Sequence, residues 1–216
     1  MRKFIALAIL CAVIFQSCRK ENSAISNPQD RTQASIEIDG ETLNITYSAD
    51  NVNQCETYSF VGSAGYYYGV SSLFKMSDKE NLQIIFGTLR TDSSSLDEEA
   101  FLQLIKAGER SFGSLGAFTS YPALAPDKVE IAFVDKKSQR WCSTEITEFN
   151  ADNGIHTTIN IHQPEGKFVI EEVERVFAED IEAYRIKGNF KCFVYEVNGK
   201  RKKKMNGKFV GVVRIN

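Results

Sequence analysis

The sequence predicts a mostly β chain, an antiparallel β-sandwich or partly closed barrel with one covering α-helix, and three features carry that prediction. Short runs rich in β-branched and aromatic residues alternate apolar and polar positions along most of the chain. Turn-forming residues separate these runs at hairpin spacing, which favours antiparallel pairing. A single stretch has helical periodicity.

The elements follow in order. Ser35 to Tyr47 reads SIEIDGETLNITY, two alternating runs around Asp39-Gly40, a strong hairpin signal. Strand-like runs continue at Thr57 to Val61, Tyr66 to Phe74 and Leu82 to Leu89. Ser95 with Glu98 then forms a capping box, Asp97 to Glu99 suit a first helical turn, and Leu96, Phe101, Leu104 and Ile105 recur at helical spacing until Gly108. That apolar stripe is expected to cover an end or edge of the β structure. Strands resume at Val129 to Val134, Gln139 to Ile146, Ile155 to Ile161, Phe168 to Phe177, Tyr184 to Val197 and Lys208 to Ile215. Turns are expected at Asp135-Lys136-Lys137, Asp152-Asn153-Gly154, Pro164-Glu165-Gly166, Asn198-Gly199 and Asn206-Gly207. Phe190, Cys192 and Val194 face one way and Phe193, Tyr195 and Val197 the other, so their strand should be central.

The N-terminus is organised differently. Basic Arg2 and Lys3 precede an apolar run from Phe4 to Phe15, and the run ends in Gln16-Ser17-Cys18. Twelve apolar residues are too few to span a bilayer, which takes about 20. The small residue Ser17 before Cys18 resembles the lipobox of bacterial lipoproteins, although Phe15-Gln16 departs from its commonest form. The expectation is a signal peptide over 1–17, a lipid on Cys18, a flexible tether over 18–34 and one β-rich domain over 35–216. Residues Arg19 to Ala34 bear almost no apolar surface with which to offset ordering entropy, and sixteen flexible residues reach roughly 20–25 Å.

From the helix onward, four segments carry a resemblance: GERSFGSLG after the helix, VEIAFVDKKSQRWCST, KGNFKCFVYEVNGK and the terminal NGKFVGVVRI. This order of features is similar to that of small β-rich lipoproteins abundant in Bacteroidota, over roughly residues 31–216. The resemblance implies location and fold, since such proteins mostly lack an assigned activity. Members that reach the cell surface carry several acids after the lipidated cysteine. Here Arg19, Lys20 and Glu21 include one, so the periplasmic face of the outer membrane is favoured.

Composition bounds the function. Removing Arg2 and Lys3 leaves 24 basic against 28 acidic residues, which argues against general nucleic-acid binding. Cys55, Cys142 and Cys192 remain for the folded part, and either one disulfide in any of three pairings or three buried thiols fits. His156 and His162 share parity on a strand but stand roughly 20 Å apart, too far to share a metal. There is no Gly-x-Ser-x-Gly elbow, phosphate loop or dinucleotide fingerprint. Asp97 to Glu99 suit a helix N-terminus, and Glu171, Glu172 and Glu174 a half-exposed strand, better than paired catalytic carboxylates. No enzyme, metal or cofactor is expected.

Two features suggest binding. Tyr66, Tyr68 and Trp141 offer flat amphipathic surface of the kind that stacks on sugars, against the plainer reading of core or sheet surface. Lys200, Arg201, Lys202, Lys203 and Lys204 offer contact with anionic lipid, phosphate or acidic polysaccharide at about 1 kcal/mol per base, against the plainer reading of a solvated hairpin. The expected function is a membrane-anchored, non-enzymatic module for a glycan or another envelope component. The alternatives are a small-ligand carrier with an internal cavity and an envelope hydrolase.

Overall fold

A computed structural model of the chain describes residues 33–46, 55–62, 65–75, 80–90, 97–115, 128–151, 154–178 and 181–214. The expected signal peptide, Cys18 and most of the tether lie outside them. The chain is mostly β, as expected. Among the described residues thirteen strands run β1 Gln33–Ile38, β2 Glu41–Thr46, β3 Cys55–Gly62, β4 Gly65–Lys75, β5 Asn81–Arg90, β6 Gly108–Phe112, β7 Lys128–Val134, β8 Arg140–Cys142, β9 Glu145–Ala151, β10 Gly154–Asn160, β11 Lys167–Ala178, β12 Ile181–Glu196 and β13 Lys202–Val213. The helix α1, Glu98–Ile105, stands between β5 and β6.

Eleven strands form one curled sheet in the order β2-β1-β13-β12-β11-β6-β7-β5-β4-β3, with β8 bridging β12 and β7. Every pairing is antiparallel except β6 with β7. The sheet folds over so that β13 packs against β3 and β4, and β9 with β10 forms a separate hairpin. Between the two layers, the Phe168 ring meets Phe86, Phe112, Phe190 and Phe209 at centroid distances of 5.6–6.4 Å. Phe74 meets Phe209 edge-on from the opposite layer. Aromatic rings therefore occupy the centre where a carrier would need a chamber.

Local chemistry explains most of the elements. Asp39 and Gly40 both take positive φ, at 50° and 84°, the conformation a two-residue hairpin needs. The first strand begins at Gln33, two residues before the expected boundary, because Ala34 is already buried opposite Phe209. Asp97 caps α1 in place of the expected Ser95, which lies outside the described residues, by accepting a hydrogen bond from the Ala100 N–H at 2.8 Å. Phe101, Leu104 and Ile105 enter the core, with Phe101 against Tyr184 of β12. At the other end the Arg110 guanidinium donates to the carbonyls of Gln103 and Lys106, a cation on the negative end of the helix.

Three expectations are corrected. Asn206-Gly207 is no turn but the interior of β13, opposite Lys191 and Phe190. A Cβ on Gly207 would run into the Phe190 ring and Ile36, so this glycine provides close packing where a reversal was expected. The run from Gln139 to Ile146 divides at Ser143-Thr144 into β8 and β9. Gly108–Phe112, which shows little apolar alternation, forms β6 and joins the two halves of the sheet.

Candidate anion-binding face

The basic run is where sequence and structure diverge most usefully. Because β13 begins at Lys202, strand alternation divides these bases between two faces. Lys203 lies on the inward side with buried Met205 and Phe209, and Arg201 joins it against the Trp141 indole. Lys202 and Lys204 lie on the outward side with Lys208, all three exposed. Lys200 is exposed in the preceding turn.

The inward pair is occupied. The Arg201 guanidinium stands 5.3 Å and the Lys203 ammonium 4.6 Å from the centre of the Trp141 ring system. Arg201 also forms a two-point ion pair with Glu196, and Lys203 lies 3.6 Å from the Asp39 carboxylate. Trp141 Nε1–H donates to Asp135 at 3.1 Å, while the N–H groups of Lys137 and Gln139 donate to the other oxygen of that carboxylate. Burial alone would raise the Asp135 carboxyl. The hydrogen bonds from Gln139, Trp141 and Lys137, with Lys203 nearby, together hold it below its usual range.

This arrangement corrects the candidate sugar platform. Trp141 is 1% exposed and Tyr68 is 9% exposed, so both are core, and neither offers a face to a ligand. Tyr66 lies in β4 with its side chain outside the described residues. A cavity of about 280 Å³ beside Trp141 is lined by the acids Glu41, Glu80 and Asp135 and by the bases Lys136, Lys137, Arg201 and Lys203, a mixture of both signs.

The outward bases have no such partners. Among the described residues Lys200, Lys204 and Lys208 form no ion pair, and Lys202 rests over the Phe193 ring at 5.1 Å. The neighbouring bases are committed to acids near β11: Lys187 to Glu172, Lys191 to Glu165, Lys167 to Glu109 and Arg185 to Glu174. A bulge between Ile170 and Glu172 leaves Glu171 and Glu172 both exposed, and Glu171 accepts from Asn189. The outer face thus grades from acids on β11 to unpaired lysines on β13.

Beside Lys208 strands β1, β2, β11, β12 and β13 line a groove of about 430 Å³. Gln33, Ser35 and Asn44 line one side, Lys187, Lys208 and Glu171 the other, with Val210 between. Ser35 Oγ donates to Asn44 Oδ1 across the β1–β2 pair. No run of residues announced this groove, since its walls come from strands far apart in sequence.

The buried polar groups at the β7–β8 end read as structure. Cys142 Sγ donates to Glu130 at 2.9 Å, and the Leu115 N–H donates to the same carboxylate. Burial, then the Glu130 charge, pushes the Cys142 thiol up, and burial does the same to Cys192. Both thiols are free, so each of the three possible disulfides is missing one or both of its partners. The Gln163 amide bonds the backbone N–H and C=O of Phe193 and the C=O of Ser143, standing in for a strand neighbour. His162 lies beyond the end of β10, exposed, its carbonyl accepting from Tyr195; the His156 side chain lies outside the described residues. Asp97 caps α1, and Glu98 accepts from Tyr184, whose hydroxyl burial and the Glu98 and Glu182 hydrogen bonds raise to about 12.

Among the described residues no group of three or more metal-binding side chains sits together, and no helix is long and apolar enough to cross a membrane. Comparison with protein-family models, curated proteins and solved structures finds no match to this chain.

Proposed function

We propose that this is an exported, non-enzymatic module, anchored to the bacterial outer membrane by a lipid on Cys18, that engages an anionic component of the envelope through the outer face of β13. The observation that supports the reading is the division of the basic run by strand alternation. Two of its bases are spent on Trp141, Glu196 and Asp39, while Lys202 and Lys204 stand in line with Lys208 on an open face. Unpaired lysines on an open face lower the free energy of a nearby anion without enclosing a reacting group. Attachment to a surface suits weak contacts of this kind, because tethering raises their effective concentration.

Two readouts test it. The mass of the N-terminal peptide of membrane-extracted protein should correspond to an acylated Cys18, and a chain beginning elsewhere would remove the anchor. Retention on immobilised polyphosphate should fall steeply between 50 and 200 mM salt and vanish in Lys202→Gln/Lys204→Gln/Lys208→Gln. Retention unchanged by those substitutions would remove the face.

A further inference from the structure

The groove beside Lys208 narrows the kind of anion this face recognises, and we infer that it takes a phosphate-bearing or otherwise acidic saccharide. The inference rests on the anion-binding reading above and adds a ligand class to it. The groove's volume of about 430 Å³ lies in the range of small-molecule sites, whereas contact with a lipid surface calls for a flat or protruding face.

Its chemistry is divided in a way that fits sugar. Gln33 carries an amide that both donates and accepts, and with Ser35 Oγ–H bonded to Asn44 Oδ1 the Ser35 oxygen still accepts and the Asn44 NH2 still donates, matching hydroxyls that do both. Across from them Lys208 is unpaired among the described residues and so available to an acidic substituent, while Lys187 lines the groove paired with Glu172 at 4.0 Å. Glu171 offers carboxylate oxygens as acceptors for hydroxyls. Val210 lies between the two sides and supplies apolar contact for the C–H face of a ring. A bare inorganic anion would use the lysines and leave Gln33, Ser35 and Asn44 without a role. The lysine row leads away from the groove along β13, from Lys208 to Lys204 and Lys202, so further acidic groups of a longer chain have a track to follow.

Gln33 lines the groove and opens the first strand, and fourteen residues separate it from Cys18. Even fully extended, that length keeps the groove within about 50 Å of the lipid on Cys18.

Calorimetric titration of the membrane-extracted protein in detergent tests the inference with three soluble probes. These are the phosphorylated core oligosaccharide of a lipopolysaccharide, the same oligosaccharide after dephosphorylation, and glycerophosphoglycerol as a lipid headgroup. The phosphorylated saccharide should bind at least tenfold more tightly than either of the others. Gln33→Ala/Asn44→Ala should cost at least tenfold toward it while leaving polyphosphate retention unchanged, and an unaltered thermal midpoint would show that the variant folds. Equal affinity for glycerophosphoglycerol, or indifference to Gln33→Ala/Asn44→Ala, would overturn the saccharide inference while the anion-binding face stands. Failure of every probe and of polyphosphate would overturn both.

Discussion

The Trp141 corner and the outer face of β13 are built from the same five-residue basic run, yet they use charge in opposite ways. At the corner, Arg201 and Lys203 cover an aromatic ring and meet Glu196 and Asp39, so their charges are consumed within the fold. On the outer face, Lys202 and Lys204 continue toward Lys208 without a carboxylate partner among the described residues. Adjacent residues differ this much because successive side chains on a strand point to opposite sides. A charge cluster read along the chain is therefore two clusters in space, and only one of them remains for a ligand.

The largest expected effect comes from crossing between the faces at one step of β13. Phe209→Ala should cost about 3–5 kcal/mol, since Phe209 contacts Phe74, Phe168 and Phe190 in the core. Lys208→Ala next to it should change stability by no more than about 0.5 kcal/mol. Urea denaturation measures both, and similar losses would mean that the strand does not separate inside from outside as described. Gly207→Val should follow, at about 1–3 kcal/mol in the same experiment, because the Phe190 ring and Ile36 occupy the space of the added side chain.

A smaller effect should appear at the corner as acid is added. Asp135 has a folded pKa below its unfolded value of about 3.8, so its stabilising contribution is present above that value and fades as pH falls through the folded pKa. Trp141 is the only tryptophan, so its emission reports the event directly. Emission should hold constant from neutrality to about pH 4 and shift red below it, and Asp135→Asn should remove that acid step. A shift centred near neutrality would contradict the assignment.

The smallest effect is an absence of reaction. Burial, joined at Cys142 by the Glu130 charge, keeps the thiols of Cys142 and Cys192 protonated. Peptide mapping after iodoacetamide treatment at pH 8 should find both unlabelled in folded protein and labelled after urea. Rapid labelling of either in the folded state would show that the β7–β8 end opens.

What the sequence made legible follows from how local each signal is. Asp39-Gly40 identified its hairpin because the required φ values belong to those two residues alone. The two-sided apolar pattern of Phe190 to Val197 identified a central strand, since β12 is flanked by β11 and β13 with β8 at its end. Asn206-Gly207 misled for the complementary reason: the same dipeptide that makes a turn also makes room, and only Phe190 and Ile36, distant in sequence, decide which. Trp141 looked like a sugar platform because its own strand gives no hint of Asp135, Arg201 and Lys203 closing around it. The groove was illegible throughout, for β1, β2, β11, β12 and β13 each contribute only a fragment of it.

The account turns on whether position, rather than number of charges, decides what each base does. Lys202→Gln/Lys204→Gln and Arg201→Gln/Lys203→Gln remove the same two charges from the same short run. Polyphosphate affinity and Trp141 emission, measured side by side, separate them. The account predicts at least a tenfold loss of affinity with unchanged emission for the outward pair, and retained affinity with red-shifted emission for the inward pair. Equal losses of affinity from both would contradict it, reducing the run to an undivided patch of charge.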